Sequence, residues 1–210
     1  MRLNKGRLIL AVACTVWVLA VAVGLGLLWD YENAPGESAA PPSVWPPESS
    51  IQPAADRATL VMMIHPHCPC SRATIGELAR LMAQAQGRVT AFILLVKPEG
   101  FPDDWAKTDL SLSASAIPDV TVVVDDEGTE ARRFRAKTSG QTVVYDIEGR
   151  LLFNGGITAS RGHSGDNAGR SAVVSLLNTG ESANGETFVF GCPLFGSESD
   201  CKGSMDGYEH

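Results

Sequence analysis

Residues 58–86 read ATLVMMI, then HPHCPC, then SRATIGELARLMAQAQ, and this stretch decides the fold. Ala58 to Ile64 is an apolar run of strand character. From Ser71 onward Ile75, Leu78, Ala79, Met82 and Ala85 recur at helical spacing, which predicts a helix over 71–86. His65-Pro66-His67-Cys68-Pro69-Cys70-Ser71 therefore lies where a buried strand hands over to a helix N-terminus. Unpaired backbone N–H groups and the positive end of the helix dipole favour an anion there, so a cysteine in this position holds its thiolate more readily than a free one. Two thiols so placed indicate redox or metal chemistry rather than packing.

Working outward, Arg88 to Lys97 (RVTAFILLVK) is a continuous apolar run, as expected of a strand buried on both faces of a parallel sheet. Strand, helix and strand in this order form a right-handed crossover. Asp103-Asp104-Trp105 offers acidic helix-start chemistry for a helix through about Ala116, ended by Pro118. Val120 to Val124 is a further strand, followed by a turn at Asp125 to Gly128 and a short helical stretch around Glu130 to Arg135. Gln141 to Asp146 and Leu151 to Ile157 read as a hairpin. Asn167 to Asn178 closes the pattern with an amphipathic helix, after the polar loop Thr158 to Asp166.

The N-terminal side is of another kind. Arg2, Lys5 and Arg7 precede an uninterrupted apolar run from Leu8 to Leu28, followed by Asp30 and Glu32. About 20 such residues span a bilayer core as a helix, and basic residues before the run put the N-terminus in the cytoplasm. A cleaved signal peptide gives the same direction of export, but its apolar region is usually shorter, about 7 to 15 residues. Cys14, inside the run, reads as a small packing residue. Tyr31 to Asp56 is rich in Pro, Ala, Ser and Glu, a composition that favours extended solvated chain and reads as a spacer, with Trp45 at its middle. The 210 residues carry a net charge of −7 with no basic tract, which argues against nucleic-acid binding. Export makes Cys68, Cys70, Cys192 and Cys201 candidates for bridges as well as for chemistry.

The order of elements, with Cys68 and Cys70 at the first strand-to-helix turn, resembles the thioredoxin superfamily. The stretch VTVVVDDEGTEARRFRAKTSGQTVVYDIEGRLLFNGGI, with Asp146 and Gly149 at its hairpin turn, resembles the membrane-anchored TlpA/ResA branch. HPHCPCS, GHSGDN and GCPLF are similar to the RedB-labelled group of thioredoxin-like proteins. The resemblance implies an α/β thioredoxin-like fold: a central mixed sheet flanked by helices, preceded by one transmembrane helix and a Pro-rich linker. The expected organisation is a cytoplasmic N-terminus at 1–7, a transmembrane helix at 8–28, a linker at 29–56, a thioredoxin-like domain at 57–180 and a cysteine-containing tail at 181–210. Two departures stand out. Only Pro69 separates the cysteines where most of the family has two residues, and Gly140 in Thr138-Ser139-Gly140 stands where the family places a cis-proline facing the motif.

These residues imply a membrane-anchored thiol–disulfide oxidoreductase in the periplasm or an equivalent extracytoplasmic space, serving redox homeostasis. It would act on protein thiols and disulfides, with another thiol protein as electron donor and no cofactor. Cys68 is the expected nucleophile and Cys70 the resolving thiol, while His67, Ser71 and Gly140 tune the site. A bridge across a single residue is strained and hence easily reduced. His65 and His67 are expected on opposite sides of the strand end. A His67 facing Cys68 would stabilise its thiolate or act as base. Cys192 has two readings: a structural bridge to Cys201 that pins the tail, or a fold-back of Gly191-Cys192-Pro193-Leu194 that makes it a resolving thiol. The alternative function is copper or zinc binding or delivery, through Cys68 and Cys70 with His65, His67 or His163. A peroxidase reading fails for want of the relatives' Thr upstream of the cysteine.

Overall fold

The computed structural model describes residues 5–102, 104–180 and 185–196. The chain divides into two units, Met1–Ala34 and Pro35–His210. In the first, α1 (Lys5–Asn33) is one continuous helix with no buried residue, longer at both ends than the 8–28 span expected from the apolar run. At 29 residues it is long and apolar enough to cross a membrane, and it fits a single anchor.

The second unit is built on a five-stranded sheet in the order β3-β2-β1-β4-β5. The strands are β1 (Ala58–Ile64), β2 (Val89–Lys97), β3 (Val120–Asp126), β4 (Gln141–Tyr145) and β5 (Leu151–Gly155). β1 is parallel to β2 and β2 to β3, whereas β4 runs antiparallel to β1 and to β5. The sheet is therefore mixed. β1 lies at its centre because its side chains are apolar on both faces. Leu60, Met62 and Ile64 point into one core layer, with Leu78, Leu81, Phe153 and Val173, while Val61 and Met63 point into the other, with Phe134, Val143, Tyr145 and Leu194.

The helices are α2 (Ser71–Ala85), α3 (Asp109–Ser115), α4 (Thr129–Arg133) and α5 (Ala168–Thr179). α2 and α5 cover one face of the sheet, and their polar contact is buried. Glu77 of α2, fully inaccessible, pairs with Arg170 of α5 and accepts from the Gly165 N–H at 2.9 Å. The helix expected from Asp103 starts later, at Asp109, because Thr108 and Ser111 form a reciprocal capping box. Trp105 instead sits in a turn that donates to the Pro102 carbonyl.

The spacer reading of 31–56 is corrected by the structure. Residues from Gly36 onward lie as a strap along the second core layer. Leu151 N–H donates to Ser43 O, Trp45 N–H to Gly149 O, and the Tyr145 hydroxyl to Pro42 O. Trp45 meets Phe134 and Tyr145 edge-on, each at 5.2 Å between ring centroids. Ser49 and Ser50 donate to the Glu130 carboxylate, and Ile51 is buried. Proline-rich composition withholds backbone donors but leaves carbonyls and rings free to dock, and this strap uses both.

Candidate functional site

β1 ends at Ile64, so the motif begins in a turn rather than on the strand. Cys68 N–H donates to His65 O, and Ser71 N–H to Cys68 O, winding the chain into α2 with Cys70 as its N-cap. Cys68 is 5% exposed and Cys70 is more open. The motif is fastened to the segment before β4. The Ser139 hydroxyl accepts from the His65 N–H at 2.9 Å and lies 3.0 Å from the Ser71 hydroxyl. Gly140 follows in a left-handed conformation (φ 92°) that favours glycine, and its N–H donates to Met63 O at 2.8 Å.

The third thiol comes from the tail. Cys192 O accepts from Ser139 N–H and Leu194 N–H donates to Lys137 O, each at 2.8 Å. Pro193 faces Thr138 in an antiparallel bridge. This pairing brings Cys192 Sγ to 2.9 Å from Cys68 Sγ. None of the four described cysteines is in a disulfide. Of the two readings of Cys192, the fold-back is the one seen. Cys201 lies outside the described residues, and so does the bridge it was expected to form.

One proton shared between close sulfurs drives their acidities apart. Hydrogen bonding from Cys192, then from Cys70, holds Cys68 far below the ordinary thiol range, against the opposing effect of its burial. The same contacts with Cys68 and Cys70, with burial, push Cys192 well up. Cys70 lies above its usual value: its bond with Cys192 lowers it, but the bond with Cys68 and burial outweigh that. Arg161, whose guanidinium donates to Gly191 O, also acts on Cys70 and favours its thiolate.

The histidines do not lie on opposite sides. Both rings meet Trp105, with centroids 6.0 Å away for His65 and 4.0 Å for His67, because strand alternation does not extend into the turn. His67 Nε2 donates to Trp105 O at 2.9 Å. Burial lowers the pKa of His65, and the Cys68 charge opposes that shift. His65 Nδ1 accepts from His67 N–H at 3.2 Å. His163 is exposed in its loop, with its N–H on Ser160 O. The expected metal ligands are therefore not gathered. Among the described residues no group of three or more His, Cys, Asp or Glu is arranged to hold a metal ion. Ser139 and Arg161 escaped sequence reasoning, since neither carries a motif and both act through partners distant in sequence.

No protein-family model matches the chain, and no curated protein matches it. Solved structures do. An uncharacterised conserved protein of Geobacillus kaustophilus superposes with a TM-score of 0.57 at 20% identity, over 79% of this chain and 94% of that one. A hypothetical protein of Sinorhizobium meliloti 1021 gives 0.57 at 19% identity, over 77% and 93%. The exposed lipoprotein thioredoxin of Streptococcus pneumoniae strain TIGR4 gives 0.41 at 12%, over 59% and 84%. The mixed sheet in the order β3-β2-β1-β4-β5, with β4 antiparallel to β1 and to β5 and the thiols where β1 hands over to α2, makes the fold thioredoxin-like. The thioredoxin-like domain of this chain carries its thiol pair at the start of α2, as the sequence led one to expect. Where that fold ordinarily shields the thiols with a proline, this domain has Gly140 and covers Cys68 with its own residues 191–194.

Proposed function

We propose that this protein is a membrane-anchored thiol–disulfide oxidoreductase acting on protein thiols and disulfides, with Cys68 as nucleophile. The supporting observation is the Cys68–Cys192 pair, in which a buried, strongly acidified thiol lies 2.9 Å from a thiol held protonated. The Cys68 thiolate attacks a substrate disulfide, one substrate sulfur leaves as thiolate with the bonding electrons, and a mixed disulfide forms. Cys68 is then no longer an anion, which removes the first cause holding the proton on Cys192. Cys192 attacks Cys68 Sγ as its proton passes to the departing second substrate sulfur, which leaves as a thiol with the bonding electrons, and a Cys68–Cys192 disulfide remains. An external thiol protein resets the pair. Cys70, across Pro69, is the competing resolving thiol, and its strained three-residue ring counts against it. Arg2, Lys5 and Arg7, ahead of the apolar run Leu8 to Leu28, favour a cytoplasmic N-terminus with the domain outside, where disulfides persist.

The test is a redox titration of the full-length protein in detergent, with alkylation and peptide mapping. The expected result is a reversible two-electron couple between Cys68 and Cys192, in the range of exchange proteins, roughly −120 to −270 mV. If Cys68 stays reduced throughout the titration, the reading is abandoned. If Cys68 bridges reversibly to Cys70 instead, exchange stands and the resolving role passes to Cys70.

A further inference from the structure

β4 and β5 carry two amides to the same face of the sheet. Gln141 stands two places before Val143, whose antiparallel partner is Asn154, so the two side chains are diagonal neighbours and meet. Their hydrogen bonds can run in one sense only. The Ala39 carbonyl can do nothing but accept, so the Asn154 amide turns its Nδ2 towards it, at 3.2 Å. Asn154 Oδ1 is left to accept from Gln141 Nε2. Gln141 Oε1 then ends the chain of bonds, and among the described residues nothing donates to it, although Gln141 is only 1% exposed. A buried acceptor without a donor costs free energy, and a bound donor recovers it.

Both amides belong to the wall of a cavity of about 640 Å³, within the range of about 300–1,000 Å³ usual for small-ligand sites. Another wall is the stretch 186–190, held to β5 by Thr187 N–H on Asn154 O at 3.2 Å and to the strap by Gly36 N–H on Val189 O at 2.8 Å. Phe188, Val189 and Phe190 make that wall apolar, and Glu186 supplies the only charge, since no Lys, Arg or His lines the cavity. We infer that this cavity binds a small organic cation, an ammonium that donates to Gln141 Oε1 within the field of Glu186 and carries an apolar body against Phe188. The Phe188 ring, 68% exposed, gains cover from such a body. No thiol lines the cavity, so the inference goes beyond the exchange reading and stands independently of it.

The test titrates the isotope-labelled full-length protein, in nanodiscs of zwitterionic lipid, and follows the side-chain amide signals of Asn154 by NMR. The probes share one apolar body: phenethylammonium; its trimethyl analogue, which keeps the charge but has no N–H to donate; and phenylpropionate, of opposite charge. Phenethylammonium should shift the signals saturably, with half-saturation below about 1 mM. The trimethyl analogue should bind about tenfold more weakly, the factor expected for losing a hydrogen bond from a charged donor, and phenylpropionate should give no saturable shift. In Gln141→Leu the ratio between the two cations should fall to about one, because neither finds the acceptor. In Glu186→Gln both cations should weaken together, by about threefold, as for an exposed carboxylate. This second variant changes a surface side chain and keeps the test decisive should Gln141→Leu not fold. The inference is overturned if phenethylammonium gives no saturable shift, as when the cavity takes up water only, or if phenylpropionate binds as tightly. It is overturned equally if the two cations bind alike in the wild type, if their ratio survives in Gln141→Leu, or if Glu186→Gln leaves them unweakened.

Discussion

Cys68 Sγ and Cys192 Sγ lie 2.9 Å apart although 124 positions separate them in the chain. The contact depends on Ser139, which pairs with Cys192 through its backbone and with the Cys68 motif through its hydroxyl. One residue thus positions both sulfurs.

The first prediction concerns the charge on Cys68. An ordinary thiol loses its anion below about pH 8.5, whereas Cys68 is held far lower by Cys192 and then Cys70. Ultraviolet thiolate absorbance of the reduced protein should persist well below pH 7 and vanish in Cys68→Ser. In Cys192→Ser the midpoint should shift upward. Because the folded pKa is depressed, its stabilising contribution is complete above the unfolded value and is lost as pH falls through the folded one. An absorbance transition near pH 8.5 in the wild type would contradict the shared-proton geometry.

His65 gives a signal of the same sign, in mild acid. Burial lowers its pKa from 6.5, with the Cys68 charge opposing. The unfolded chain therefore takes up a proton first as pH falls below 6.5, and the stability present above that value declines towards the depressed folded pKa. Denaturant midpoints of wild type and His65→Phe, measured between pH 8 and 5, should show a slope in the wild type that the variant lacks. Parallel curves would place His65 outside this role.

A third expectation addresses the strap. Trp45→Ala removes two edge-on aromatic contacts and leaves Phe134 and Tyr145 partly uncovered. The cost should be about 3 kcal/mol, at the low end for a large aromatic because Trp45 is half-buried. Chemical denaturation monitored by tyrosine and tryptophan emission measures it. A change within about 0.5 kcal/mol, as for ordinary surface sites, would return Trp45 to the role of a linker residue.

The sequence determined the sheet and the start of the site. Apolar runs at 58–64 and 88–97, helical spacing after Ser71, and the Asp146–Gly149 turn carry enough local information that β1, α2, β2 and the β4–β5 hairpin fall within a residue or two of where the pattern predicts them. Cys68 at a strand-to-helix turn follows from those same periodicities. Three matters were decided only by tertiary structure. The strap at 36–56 docks by carbonyls and rings, which its proline-rich composition does not advertise. The histidines converge on Trp105 because the strand stops at Ile64, so the alternation that would have separated them never applies. Cys192 meets Cys68 through backbone hydrogen bonds to 137–139, and such bonds leave almost no mark on residue type. Local periodicity is written in side chains, whereas pairing between distant segments is made by main-chain atoms common to every residue, and only the folded chain reveals it.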